Sequence, residues 1–182
     1  MTKSMTGSFY LTEAIDLPAG SVTGTRVTGT IDLSAYVNVP TGQAIAVESC
    51  DLVFQNTVNL SGDVSGFSTG DVGITLQVVD QNPGAVFVRA DNHSLVASGT
   101  LNVDATNNVA THTSDLYPDN FGPANMSEAF LVVNDTLFIT AGSDGTSISA
   151  DGVSVSARLR CRVVKLSTKD WMAIAIQSTA DQ

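Results

Sequence analysis

Apolar and polar residues alternate along most of this chain with a period of two, the repeat of a strand that buries one face. Residues 43–55 (QAIAVESCDLVFQ) carry it most clearly. Ile45, Val47, Ser49, Asp51 and Val53 fall on one side, and Ala44, Ala46, Glu48, Cys50, Leu52 and Phe54 on the other. The same pattern predicts strands over 7–15, within 22–37, over 72–80, 85–90, 94–103, 129–140 and 153–166. Residues 22–37 read as one long bent strand or two short ones, because Gly24 and Gly29 interrupt the run. Residues 129–140 read as two short strands about Asn134-Asp135, or one strand with a bulge.

Turn signals separate these runs. They include Asp16-Leu17-Pro18-Ala19-Gly20, Asn38-Val39-Pro40-Thr41-Gly42, Asn82-Pro83-Gly84, Ser143-Asp144-Gly145-Thr146 and Ala150-Asp151-Gly152. Residues 56–71, with three Gly-containing turns, predict a long exposed loop or loose hairpin, and residues 104–128 lack a period and predict a projecting loop. The period changes only at the end. Ser167-Thr168-Lys169-Asp170 resembles a capping box with Asp in the Glu position, and Trp171, Met172, Ile174, Ala175 and Ile176 follow it, so a short C-terminal helix is expected.

Roughly eight strands, with turns every 8 to 15 residues or so and no intervening helices, predict an antiparallel sandwich or barrel. A jelly roll holds that number in two sheets; an immunoglobulin-like sandwich is disfavoured because Trp171 follows both cysteines. The expected organisation is all-β in a single domain spanning 1–182, with strands and loops over 7–166 and a C-terminal helix over 167–180. No tandem repeat suggests a propeller or solenoid.

Composition agrees with a folded β protein. Of 182 residues 43% are hydrophobic and only 14% charged, too apolar for a disordered chain. Eighteen Asp and Glu against eight Lys and Arg give a net charge of −10, which argues against direct contact with nucleic acid, since that requires cations to displace phosphate counterions. The opening MTKSMTGSFYL has no apolar core of a signal peptide, and no run is long enough to span a bilayer, so synthesis in the cytoplasm is expected. Cys50 and Cys161, far apart and without metal-type spacing, read as two buried thiols or as a disulfide joining distant strands.

Candidate chemistry is sparse. His93 and His112 lack diagnostic metal spacing and read as loop histidines. There is no G-x-S-x-G elbow, no phosphate loop, no dinucleotide fingerprint and no H-E-x-x-H, so no catalytic residue, cofactor or metal is expected and the chain does not read as an enzyme. The turns at Ser61-Gly62-Asp63, Asp71, Ser143-Asp144-Gly145 and Asp151-Gly152 could offer oxygens to calcium but lack EF-hand spacing, and read as solvated turns. The N-x-S/T triplets at Asn59, Asn92, Asn125 and Asn134 read as chance in a Ser/Thr-rich chain.

One charge feature stands out. Arg158, Arg160, Arg162, Lys165 and Lys169 are five of the eight basic residues, and on a strand the three arginines share a side opposite Ala157, Leu159, Cys161 and Val163. They form a candidate contact seam, facing either an acidic patch on a neighbouring subunit or anionic lipid head groups, with a solvated, locally balanced face as the alternative. Trp171 is a further candidate anchor, set to pack on its own sandwich or on a neighbour.

The opening strand GSFYLTEAIDL, the strand series ending in VSVSARLRCRVVKL and the small size resemble a single jelly-roll viral capsid protein. The pattern is most similar to the small acidic capsid proteins of tailless icosahedral viruses with an internal membrane. That resemblance implies a virion protein that tiles with copies of itself and with other virion proteins, while a lipid vesicle encloses the genome. A virion spike or fibre that binds a receptor is the second reading; a carbohydrate-binding module or an unfamiliar enzyme is the third.

Overall fold

The computed structural model describes residues 3–116 and 130–179. Ten strands, β1 (Lys3–Ser4), β2 (Phe9–Leu17), β3 (Arg26–Asp32), β4 (Gln43–Asn56), β5 (Val72–Val79), β6 (Leu95–Asp104), β7 (Val109–Leu116), β8 (Phe130–Val132), β9 (Thr136–Gly145) and β10 (Val153–Lys165), are followed by helix α1 (Thr168–Thr179). Every pairing is antiparallel. One sheet runs β2-β10-β4-β8, with β1 continuing the β2 edge along the end of β10; the other runs β3-β9-β5-β6-β7.

This order is that of a jelly roll. Set β1 and β7 aside, and the first core strand (β2) pairs with the last (β10), the second (β3) with β9, the third (β4) with β8, and the fourth (β5) with β6. Such pairing results when one long antiparallel ribbon is wrapped into two facing sheets. The expected all-β antiparallel jelly roll with a C-terminal helix is therefore the fold observed.

Alternation decides what lies between the sheets. From the first sheet Ile15, Leu17, Val155, Ala157 and Leu159 enter a common core with Ile31, Ile74, Leu76, Val78, Leu137 and Ile139 of the second. Phe67, in the connection between β4 and β5, closes one end at 1% exposure. Cys50 and Cys161 lie in this core as free thiols. Burial first, with the Asp51 charge beside Cys50 and Cys50 itself beside Cys161, pushes both up to about 12, so they stay protonated and act as small apolar side chains.

Several expectations shift. In the 22–37 run only Arg26–Asp32 is strand; Gly24, at φ +82°, turns the chain before it. Residues 85–90 form no strand, since Ala85 follows the Asn82-Pro83-Gly84 turn at φ +62°. That segment is instead tethered by Gln77, whose Nε2 donates to the Val88 carbonyl at 2.9 Å and whose Oε1 accepts from the Val88 amide at 2.8 Å. The supposed loop 104–128 contains β7, paired along β6 and joined to it by a turn over 105–108; residues 117–128 lie outside the described residues. β9 runs on through Ser143-Asp144-Gly145, which reads as a turn in sequence, because β5 pairs with it as far as Val72.

Phe67 is the largest fully buried side chain among the described residues and packs into the core from a connection. Phe67→Ala is expected to lower unfolding free energy by about 3–5 kcal/mol, measured by urea denaturation with an unchanged m-value.

Candidate functional site: the outer face of the β10 sheet

The outer face of the first sheet is organised by one extra residue. Along β10, Arg160 pairs with Ser49 and Cys161 with Val47, which leaves Glu48 unpaired in a β-bulge. The bulge reverses the phase of β4, so that Phe54, Leu52 and Cys50 face the core on one side of it and Val47 and Ile45 on the other. The strict two-face division of 43–55 drawn from sequence is corrected here. A period-two reading carries no signal for one inserted residue.

The bulge turns Glu48 outward beside the arginines. Its Oε1 lies 2.5 Å from Arg162 Nε and its Oε2 3.2 Å from Arg160 Nε. Ser8 Oγ donates to Oε2 at 2.9 Å and in turn accepts from Arg162 Nη2 at 3.0 Å. Glu48 and Arg162 are each 7% exposed, so one nearly dry carboxylate holds two guanidinium groups and the incoming N-terminal segment. Arg158 is exposed and lies over the Tyr10 ring, 4.3 Å from its centroid, across from Asp51.

The predicted seam thus divides. Arg160 and Arg162 are engaged within the subunit, and Arg162 is too buried to meet a partner directly. Arg158, Lys165 and Lys169 are exposed, with Lys165 paired to Lys3 across β1. Beyond the bulge the outer face turns apolar: Ala44, Ala46, Val133, Val164 and Leu166 form a second cluster, on which Trp171, Ile174 and Ala175 of α1 rest. Alanines there let the helix approach closely. Trp171 packs on its own sandwich. The capping prediction holds: Ser167 Oγ accepts from the Asp170 amide at 3.2 Å and donates to Asp170 Oδ2 at 2.7 Å.

At the far end of α1 a cavity of about 220 Å³ is lined by Asp80, His93, Phe130, Leu131, Ile174, Gln177 and Ser178. Asp80 follows β5 and was not a candidate in sequence, where a carboxylate at a strand end reads as a turn residue. Neither histidine joins a metal cluster: among the described residues no group of three or more His, Cys, Asp or Glu could hold one. His112 sits 3.6 Å from Asp115 and edge-on to Phe54. Among the described residues no helix is long and apolar enough to cross a membrane.

A second feature lies at the opposite end of the barrel, where three connections are tied together. Ser149 accepts from the Gly20 amide and donates its own amide to Phe67, and Ile148 donates to Ser21. Asn56, 1% exposed, is the hub: its Nδ2 donates to the Gly66 carbonyl and to Asp151, each at 3.2 Å, and its Oδ1 accepts from Val58 at 2.8 Å. The Asn56 carbonyl also accepts from Leu60, which is held at φ +57°. The platform so built displays Val22, Val58 and Leu60 at 61%, 72% and 62% exposure.

Removing Glu48 strands a buried guanidinium. Glu48→Ala is expected to cost about 3–5 kcal/mol, whereas Arg160→Ala, at the wetter end of the cluster, should cost about 1 kcal/mol or less; chemical denaturation of the two variants separates them.

No protein-family model matches the sequence, and no curated protein sequence matches it. Among solved structures the chain is similar to Merkel cell polyomavirus VP1 in its unassembled pentamer, at 10% identity and a TM-score of 0.47, over 91% of this chain and 99% of that one. It is also similar to the trichodysplasia spinulosa-associated polyomavirus VP1 solved with sialylated glycooligomers (12%, TM-score 0.42, 90% and 98%) and to the desmodium yellow mottle tymovirus structure (7%, TM-score 0.40, 87% of each). The jelly-roll assignment itself rests on strand order, which the chain's own hydrogen-bond ladders define.

Proposed function

We propose that this chain is a structural virion protein, a capsid subunit that assembles with copies of itself through lateral contacts of its barrel. The observation that carries the reading is the cross-tied platform: a hydrogen-bonded barrel end presenting Val22, Val58 and Leu60 to solvent. A fixed backbone loses little entropy on docking, and exposed aliphatic side chains gain from mutual burial, so such a platform suits a contact repeated around a symmetry axis. Leu60 held at positive φ adds to this, since a non-glycine residue in that region is costly and recurs where function requires it.

Charge supports the finer reading. A subunit of net charge −10 is suited to a shell kept apart from its genome, as in capsids with an internal membrane. Arg158, Lys165 and Lys169 would then meet an acidic patch on a neighbouring subunit or other virion protein, or an anionic membrane surface. Synthesis in the host cytoplasm and residence in the virion belong to the same proposal.

The test is assembly of the full chain, followed by analytical ultracentrifugation and electron microscopy. The chain should form rings or closed particles. Val58→Asp and Leu60→Asp should strongly reduce them without moving the melting temperature, since both positions are exposed and Asp is well tolerated at positive φ. A chain that stays monomeric at high concentration, or variants that assemble like the parent, would sink the reading.

A further inference from the structure

Asp80 is 1% exposed, and among the described residues no other residue hydrogen-bonds either of its carboxyl oxygens; its own amide offsets only part of the cost of burial. Its backbone is hydrogen-bonded on both sides. The Asp80 amide donates to the Ser94 carbonyl at 2.9 Å, and its carbonyl accepts from Asn134 Nδ2 at 2.8 Å. The residue is thus held at the wall of the cavity, to which α1 contributes Ile174, Gln177 and Ser178. Among the described residues, α1 rests on the small apolar cluster, and Gln81 Nε2 reaches Ser178 Oγ at 3.4 Å.

We propose that Asp80 is a proton-dependent latch for α1: protonated, it lets the helix seat on the barrel, and ionised, it drives the helix off to admit water to the carboxylate. An ionised carboxylate without a partner is among the most costly groups to bury, whereas its neutral form needs only modest compensation. Of the elements around Asp80, β8 contributes Phe130 and Leu131, neither of them titratable. α1 contributes Ile174, Gln177 and Ser178, also not titratable, and presents its C-terminal end, whose carbonyl dipoles repel a negative charge. The connection preceding β6 contributes His93, the other titratable group among the described residues lining the cavity.

The direction follows from burial, which pushes Asp80 up from 3.8 to about 7. A carboxyl whose seated pKa is raised stabilises the seated state fully below its ordinary range. That contribution falls as pH rises from about 4 and is gone above about 7. Lifting α1 uncovers Ala44, Ala46, Val133, Val164 and Leu166, so the latch also gates an apolar patch on the sheet's outer face.

Trp171, the chain's one tryptophan, reports the event because it shares the apolar cluster with Ile174, which also borders the cavity. In the full chain its emission should shift red as pH is raised from about 5 and level off near 7. Asp80→Asn, which keeps the shape and cannot ionise, should abolish the shift; His93→Gln should retain it. Acrylamide quenching of Trp171 in the unaltered chain, low at the acid end and higher at the basic end, tests the same point should the asparagine variant fold poorly. Emission and quenching that do not vary with pH, a shift that survives in Asp80→Asn, or one lost in His93→Gln would overturn the proposal. None of these readouts depends on particle assembly, so failure here is distinct from failure of the capsid reading.

Discussion

The outer architecture of this barrel depends on one residue too many in β4. Because side chains on a strand alternate, a single insertion at Glu48 exchanges the two faces of everything on one side of it. Without the bulge, either Cys50, Leu52 and Phe54 or Ile45 and Val47 would face away from the core. With it, all five point inward, and Ala44 and Ala46 are left as small side chains on the outside, where α1 can lie down. The bulge also turns a carboxylate toward β10 where Arg160 and Arg162 already point, so the kink is fastened by the charges it exposes.

That fastening changes the meaning of the basic strand. Two of its three arginines serve the subunit itself, joining β4, β10 and the segment between β1 and β2 through Glu48 and Ser8. In this nearly dry setting the cluster is more a specificity device than a source of stability. A buried ion pair gains little over packed apolar groups, yet it penalises any register that separates its members. The exposed cations, Arg158, Lys165 and Lys169, remain as surface charge on an otherwise acidic protein.

The two ends of the barrel are built differently. At one end, connections are laced by backbone hydrogen bonds around Asn56 and Ser149, which fixes their shape and pushes aliphatic residues into solvent. At the other, α1 covers a cavity and a buried carboxyl. An end laced by hydrogen bonds suits repeated contact; a helix laid over a titratable group suits a change of state. Both follow from where the jelly-roll wrapping places its loops.

The fold class is legible in the chain alone, because period-two burial, the turn residues and the Ser167 cap are local chemistry that survives in almost any context. The sequence located most strands, the terminal helix and the concentration of basic charge. It misplaced 85–90, where one glutamine stands in for a strand partner, and left β7 hidden among polar residues with no apolar stripe. Tertiary structure alone decided the rest. Which face of β4 is inside depended on the register with β10; whether Arg162 is surface or interior depended on Glu48 swinging across; and Asp80 became an unusual acid only because Phe130, Leu131 and α1 close over it. Each of these is a relation between residues far apart in the chain, and the free energy of burying a charge is set by neighbours that the local sequence does not name.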